Sequence, residues 1–200
     1  MRNGCLLFIF VTTLGAGCAL PMSVRMQSVP SESPLSPDAT QATVVFLRPG
    51  GGGANAILDE GGRALGEMPT PSKLVVKVDP GVHTFVKAVY KDPGNGDFTL
   101  AVPGEVTCHG VTGTFEANRI YFVEASLFRL FAVKVDDPRL GKWVALPTYR
   151  LDPAKAATAG ATSDVGWSTC LEAAKRNLAR GYKDHKSVVT AADGLSGWPG

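Results

Sequence analysis

Apolar and polar residues alternate in short runs along residues 42–150, and turn residues separate the runs. The run "ATVVFLR", residues 42–48, is β-branched and apolar, and it ends at a proline and a glycine. Alternate positions are apolar in residues 72–78, and the pattern repeats in residues 82–90 after the sequence Asp-Pro-Gly at 79–81. A period of two is typical of β-strands with one buried face, and the turn sequence predicts that the chain reverses direction between the last two runs.

Further runs extend the β pattern. The sequence "NAILDEGGRALGEM", residues 55–68, predicts a hairpin with its turn over residues 59–62. Residues 119–135 are the most apolar stretch and are expected to supply central strands, and residues 142–147 are expected to form a last strand. Roughly seven short strands with frequent turns predict a mainly β domain over residues 42–150, built as a single β-sandwich or open barrel.

The pattern changes after this domain. Residues 151–181 predict a loop followed by one C-terminal helix over residues 168–181. Thr169 and Glu172 have the spacing of a capping box, and Gly181 is a helix stop. Positions at helical spacing form an apolar side that is expected to pack on the sheet, and they are Leu171, Ala174 and Leu178.

Residues 1–17 have the parts of an export signal: a positive charge, an apolar segment too short to span a bilayer, and small residues before the cleavage site. Cys18 follows at once. The segment before it is similar to the lipobox of bacterial lipoproteins, with Leu14 four positions before the cysteine rather than three. We therefore expect an exported protein that is lipidated on Cys18 and anchored in the outer membrane, facing the periplasm. The alternative is ordinary secretion, with Cys18 incidental.

Two segments lack any apolar period. Residues 18–41 are rich in proline and serine and are predicted to be a disordered tether that carries the lipid. Residues 182–200 are predicted to be a disordered tail. The sequence thus predicts a folded body held at a distance from a membrane.

Two cysteines, Cys108 and Cys170, remain in the folded body once Cys5 has left with the signal and Cys18 is lipidated. An even number of cysteines in an exported protein predicts a Cys108–Cys170 disulfide. Such a bridge would enclose about 60 residues and stabilise the fold by roughly 4 kcal/mol on the chain-entropy argument. The alternative is a pair of unrelated buried thiols.

The formal net charge is +2, and it falls to +1 without residues 1–17, which hold Arg2 and no acidic residue. This balance predicts no nucleic-acid binding. The expected partners are the membrane, through the lipid, and an envelope protein. Cys108 and His109 are the only adjacent pair of soft metal ligands, whereas a zinc site needs about four ligands. We therefore predict no metal and no cofactor.

No catalytic motif of the common hydrolase classes occurs in the sequence. The acidic pairs at 59–60 and 136–137 lie in turn sequences. Cys108 and His109 are expected to point to opposite faces of a strand, since side chains alternate along it. His83 begins a strand just after a turn, and we predict that it caps the turn by a hydrogen bond to its backbone. No catalytic residue is predicted.

Two functional hypotheses follow. The first is a non-enzymatic, lipid-anchored module of the cell envelope that binds or braces another component. The second is a hydrolase-like enzyme of unrecognised type, with a site near Cys108 and His109 beside the loop over residues 91–97. A deep polar pocket next to His109 would favour the enzyme, and a closed sandwich would favour the module.

Three motifs also resemble those of an uncharacterised bacterial lipoprotein domain of unknown function. They are an opening strand that ends at Arg48-Pro49, a small glycine-containing hairpin from Asp59 to Gly66, and a turn from Val78 to His83 before a long strand. The same turn is loosely similar to that of PEGA-type surface domains. The resemblance covers roughly residues 42–135. It implies a β-sandwich-like domain at the cell envelope, and it implies no activity.

Overall fold

Two packed β-sheets form the body of the protein. The structure, a computed structural model, describes residues 26–30, 35–50, 55–91, 99–100, 108–126, 129–151, 164–180 and 186–197. The strands in these ranges are β1 (Met26–Val29), β2 (Ala42–Arg48), β3 (Asn55–Leu58), β4 (Ala64–Met68), β5 (Ser72–Val78), β6 (Gly81–Lys91), β7 (Thr99–Leu100), β8 (His109–Phe115), β9 (Ile120–Ala125), β10 (Leu130–Val133), β11 (Thr148–Leu151) and β12 (Val188–Val189). The helices are α1 (Leu140–Val144) and α2 (Asp164–Arg180), and a 3₁₀ turn covers Ala191–Asp193.

The first sheet has the strand order β1-β11-β5-β2-β9-β10, and the second has the order β12-β8-β6-β3-β4, with β7 paired to β6. Strand β2 lies antiparallel to β5 and parallel to β9. The β3–β4 hairpin falls where turn residues predicted it. The predicted turn at residues 79–81 joins β5 of the first sheet to β6 of the second, so these two strands do not pair with each other. At the start of β6, Gly81 has φ +149°, which side-chain-bearing residues rarely adopt. The predicted mainly β fold with one C-terminal helix is confirmed, and its two packed sheets are those of a sandwich.

Four aromatic rings cross the layer between the sheets. The ring of Phe46 on β2 lies 5.2 Å from that of Phe85 on β6, and Phe85 lies 5.5 Å from Phe115 on β8. Phe115 in turn lies 5.0 Å from Tyr121 on β9. All three contacts are edge-to-face, the arrangement that the charge distribution of aromatic rings favours. We call these four residues the aromatic row, and it forms the centre of the inner core.

Helix α1 covers the outer face of the first sheet. Leu140, Trp143 and Val144 are buried against apolar residues of β2 and β9. The ammonium of Lys73, a fully buried residue of β5, donates a hydrogen bond to the carbonyl oxygen of Val144 at the end of the helix, where carbonyls lack intrahelical partners. The prediction of a strand over residues 142–147 is therefore wrong, because the apolar positions at 140, 143 and 144 follow helical spacing.

Helix α2 covers the outer face of the second sheet. Ala174 is buried there as predicted, and Leu178 contacts the sheet at Gly110. The helix begins at Asp164, so Thr169 lies inside it and the predicted capping box does not mark its start.

Part of the predicted tether belongs to the sandwich. Strand β1 pairs antiparallel with β11, and Met26 packs in the inner core. Leu35 is buried beneath α1 with 3% of its surface exposed. The prediction of disorder over residues 18–41 is wrong at these positions, because a four-residue strand is too short to produce a detectable period. The signal at residues 1–17 and Cys18 lie outside the described residues.

The predicted tail also contributes to the fold. Strand β12 lies parallel to β8, and Val189 is buried in the inner core. Gly113 on β8 permits this approach, since a Cβ there would collide with the backbone of Val189. Leu195 exchanges two backbone hydrogen bonds with Ile120. The prediction of disorder over residues 182–200 is therefore wrong for residues 186–197, which are ordered by contacts with distant strands.

Replacing Phe46 by alanine is expected to lower the free energy of unfolding by about 3–5 kcal/mol, because the ring is fully buried in the aromatic row. Val82→Ala is the control, since Val82 on β6 is 72% exposed, and its effect should stay within about 0.5 kcal/mol. Urea unfolding followed by circular dichroism measures both. Similar losses in the two variants would show that the aromatic row is not the centre of the core.

Candidate functional site

The two cysteines of the folded body lie at bonding distance. Cys108 immediately precedes β8 and Cys170 lies in α2, with their Cα atoms 5.4 Å apart and their sulfur atoms 1.99 Å apart. The predicted disulfide is thus present in the structure. The side-chain amide of Asn177 also donates a hydrogen bond to the carbonyl oxygen of Cys108, at 2.9 Å. Both contacts fix α2 on the second sheet, and a disulfide-bonded Cys108 cannot act as a thiolate nucleophile.

His109 points away from Cys108, as strand alternation predicts. Cys108 packs in the outer cluster beneath α2, whereas His109 shares the inner face of β8 with Val111 and Phe115. His109 is 7% exposed. Burial lowers its pKa to about 4, and the nearby cations Lys87 and Arg129 act in the same direction. The imidazole is therefore neutral at pH 7.

Two other basic side chains, Arg48 and Lys87, share this end of the inner layer. Lys87 on β6 is the register partner of His109, and Arg48 ends β2 on the same inner face as Phe46. Both are fully buried. Lys87 donates a hydrogen bond to the carbonyl oxygen of Ser126, and Arg48 donates one to that of Met68. We call Arg48, Lys87 and His109 the inner basic cluster.

The electrostatics of the cluster follow from its burial. Burial and, to a smaller extent, the positive charge of Arg48 together lower the pKa of Lys87 to about 7. Burial also lowers the pKa of Arg48. A pKa shifted this far by burial and by neighbouring positive charges is common at functional sites. It also occurs in some ion networks that have only a structural role.

The other residues considered for chemistry have structural contacts. The Nε2 atom of His83 lies 2.7 Å from the carbonyl oxygen of Asp79, the geometry of a histidine that caps the β5–β6 turn, and Nδ1 lies 3.4 Å from a carboxylate oxygen of Glu60. Asp59 and Asp137 each hold an arginine within their own turn, at 2.9 Å and 2.7 Å; these are Arg63 and Arg139. The described ranges contain no group of three His, Cys, Asp or Glu residues arranged to hold a metal ion.

A groove lies on the outer face of the first sheet, away from His109. Its volume is about 460 Å³, and it runs beside β1, β5 and β11. Its lining residues are Val29, Pro30, Val75, Lys77, Thr148, Tyr149 and Arg150. Asp38 forms an ion pair with Lys77 at 2.8 Å, and this contact with the hydrogen bonds from Thr40 holds the pKa of Asp38 well below its usual range. The groove thus has an apolar floor and a charged rim.

The inner basic cluster was missed in the sequence, although a signal for it existed. Lys87 has the same parity as Phe85 along β6, and Arg48 has the same parity as Val44 and Phe46 along β2. A cation that continues the apolar face of a predicted strand is directed into the core. Most of the loop over residues 91–97, which the enzyme hypothesis placed beside His109, lies outside the described residues.

A scan against protein-family models, a search of curated proteins and a search of solved structures each found no match. The described helices include none with the length and hydropathy to cross a membrane. The resemblance to lipoprotein and PEGA-type domains therefore stays a prediction.

The stability of the protein is expected to rise between about pH 7 and 10.5. Lys87 has a folded-state pKa of about 7 and an ordinary value of 10.5, so in this window the unfolded chain binds a proton that the folded chain does not. The free energy of unfolding therefore increases with pH there.

Lys87→Met should remove this increase, whereas Lys142→Met, at an exposed lysine of α1, should retain it. Urea unfolding at pH 7, 8, 9 and 10 measures the slope in each protein. The same slope in wild type and Lys87→Met would contradict a neutral, buried Lys87.

Proposed function

We propose that this chain is a lipid-anchored protein of the cell envelope that acts by binding an envelope partner and not by catalysis. The observation that carries the proposal is that the candidate reactive side chains have structural roles. Cys108 forms a disulfide, and the ring of His83 contacts the carbonyl oxygen of Asp79 in a turn. A catalytic site needs an acid, a base or a nucleophile free to converge on a substrate. The membrane anchor rests on the sequence before and at Cys18.

The groove on the first sheet offers a contact surface for the partner. Its lining includes the apolar side chains of Val29, Pro30 and Val75 and the charged side chains of Lys77 and Arg150. An apolar floor with a polar rim is the arrangement found at many protein interfaces. The groove also borders β1, the first described strand after Cys18, and this proximity supports a contact surface near the proposed anchor.

Cys18→Ser is expected to move the protein from the membrane fraction to the soluble fraction or to block its processing, because it removes the atom that carries the lipid. Cys5→Ser, in the predicted signal, is the control and should leave the distribution unchanged. Fractionation and mass measurement of the mature protein report the result. A Cys18→Ser protein that stays on the membrane at the normal mature mass would refute the anchor.

A photo-reactive residue at Arg150 should form a cross-link to an envelope protein in intact cells, whereas the same residue at Val82, exposed on the second sheet, should not. Val75→Glu should abolish the Arg150 cross-link, since a carboxylate would occupy the apolar floor of the groove.

The same experiment tests catalysis. His83→Gln and Asp137→Asn are expected to keep both the cross-link and the phenotype of wild type. If either variant loses function while abundance, fold and cross-link persist, a chemical role is indicated and the binding proposal fails. Equal cross-links from Arg150 and Val82 would reject the groove as the contact surface.

A further inference from the structure

The two helices that cover the sheets are attached in different ways. Helix α1 has five residues and buries three apolar side chains, those of Leu140, Trp143 and Val144. Helix α2 has 17 residues. Its side chains are described at positions 168–180, and among these only Cys170 and Ala174 are buried. One of the two is a cysteine of the disulfide. The longer helix therefore buries fewer large apolar side chains than the shorter one.

The surface beneath α2 consists largely of small side chains. It lies on the outer face of the second sheet, and its buried residues are Ala56, Leu58, Val86, Ala88 and Cys108. An alanine that packs on alanines removes little apolar area from water, and the stabilisation scales with that area. Leu171 and Leu178 of the helix are only partly buried. Apolar packing alone therefore attaches α2 weakly.

The disulfide compensates for this weak packing. It joins α2 to the start of β8 across a sequence separation of 62 residues, and closing a loop of that length disfavours the detached state of the helix by roughly a thousandfold on the chain-entropy argument. Asn177 adds one hydrogen bond to the carbonyl oxygen of Cys108, at 2.9 Å. The position of α2 is thus expected to depend on the oxidation state of the two cysteines.

We propose that the Cys108–Cys170 disulfide is a redox switch, whose reduction releases α2 from the second sheet and leaves the sandwich folded. The reductant is a dithiol, such as the Cys-x-x-Cys pair of a thiol–disulfide oxidoreductase. One of its thiolates attacks a sulfur of the disulfide, the S–S bond breaks and a mixed disulfide forms. The second thiol of the reductant then displaces the protein sulfur. Two electrons and two protons pass to the cysteines, and the dithiol becomes a disulfide. The inference goes beyond the proposed function and holds whether or not the chain carries a lipid.

The inner core does not include α2. The aromatic row lies on the inner face of the second sheet and α2 on the outer face, so release of the helix uncovers only the outer cluster. Cys108 and Cys170 have at most 1% of their surface exposed, so a reductant reaches the sulfurs only when α2 moves away locally. Elements with few buried apolar contacts open in this way at low free energy. The rate of reduction therefore reports the opening of α2.

Hydrogen exchange of the full chain, before and after reduction with dithiothreitol, tests the proposal. Amide protection over residues 168–180 should fall by roughly a thousandfold, while protection in β2 should persist. The fluorescence of anilinonaphthalene sulfonate should rise as the outer cluster is uncovered, and oxidised glutathione should reverse both changes. Unchanged protection of α2 in fully reduced protein would show that packing holds the helix. Loss of protection in β2 as well, or a disulfide that native protein does not surrender to dithiothreitol, would also overturn the switch.

Three variants separate the switch from a general loss of stability. Asn177→Ala should speed reduction about fivefold, because it removes one hydrogen bond from the closed state. Arg176→Ala, at an exposed position of the same helix, should react at the wild-type rate. Cys108→Ala combined with Cys170→Ala should lack protection in α2 with and without dithiothreitol, and it controls for the other two cysteines of the chain. Equal reduction rates for Asn177→Ala and wild type, or a protected α2 in the double variant, would count against the proposal.

Discussion

The burial of β2 on both faces is the constraint on which the rest of the structure depends. None of its seven residues has more than 2% of its surface exposed. Val44 and Phe46 face the second sheet, while Val45 and Leu47 face α1. A strand buried on both faces requires a cover on each side, and this requirement explains why a short helix lies against the outer face of the first sheet. It also explains the parallel pairing of β2 with β9, since a crossover places other elements over the sheet.

The layer between the sheets has two chemically different parts. The aromatic row fills its middle with rings in edge-to-face contact, a large area of apolar surface removed from water. The inner basic cluster occupies one end, where connections leave the strands. There the carbonyl oxygens of Ser126 and Met68 accept hydrogen bonds from Lys87 and Arg48, so each of these two cations has a polar partner inside the layer.

Local signals predicted the parts of the fold that local chemistry determines. The β3–β4 hairpin and the turn between β5 and β6 depend on residues that lie beside the strands they connect, and the disulfide was predicted from the parity of the cysteines. The sequence did not predict β1, α1 or β12. These elements have five residues or fewer, and distant strands hold them. Tertiary packing decides the structure of such segments, and their own period is too short to indicate it.

The candidate site was harder to predict than the fold. Alternation assigned Lys87 to the same side of its strand as Phe85, but it could not show that Arg48 from another sheet would lie nearby. In the sequence, His109 was considered because it is adjacent to Cys108. In the structure, the two side chains lie on opposite faces of the sheet. The relevant neighbour of His109 is Lys87, 22 residues earlier in the chain, and only the β6–β8 register brings the two together.

If Cys18 carries a lipid, as proposed, the position of strand β1 limits the distance between the domain and the membrane. Cys18 precedes Met26 by eight residues, which span at most about 28 Å when fully extended. A lipid on Cys18 would therefore hold the start of β1 within that distance of the headgroups. A domain joined to its anchor by so few residues can reach only positions near the membrane surface. Its partners would be components of the same leaflet or of the adjoining layer of the wall, and a component on the opposite side of the periplasm would have to extend to meet it.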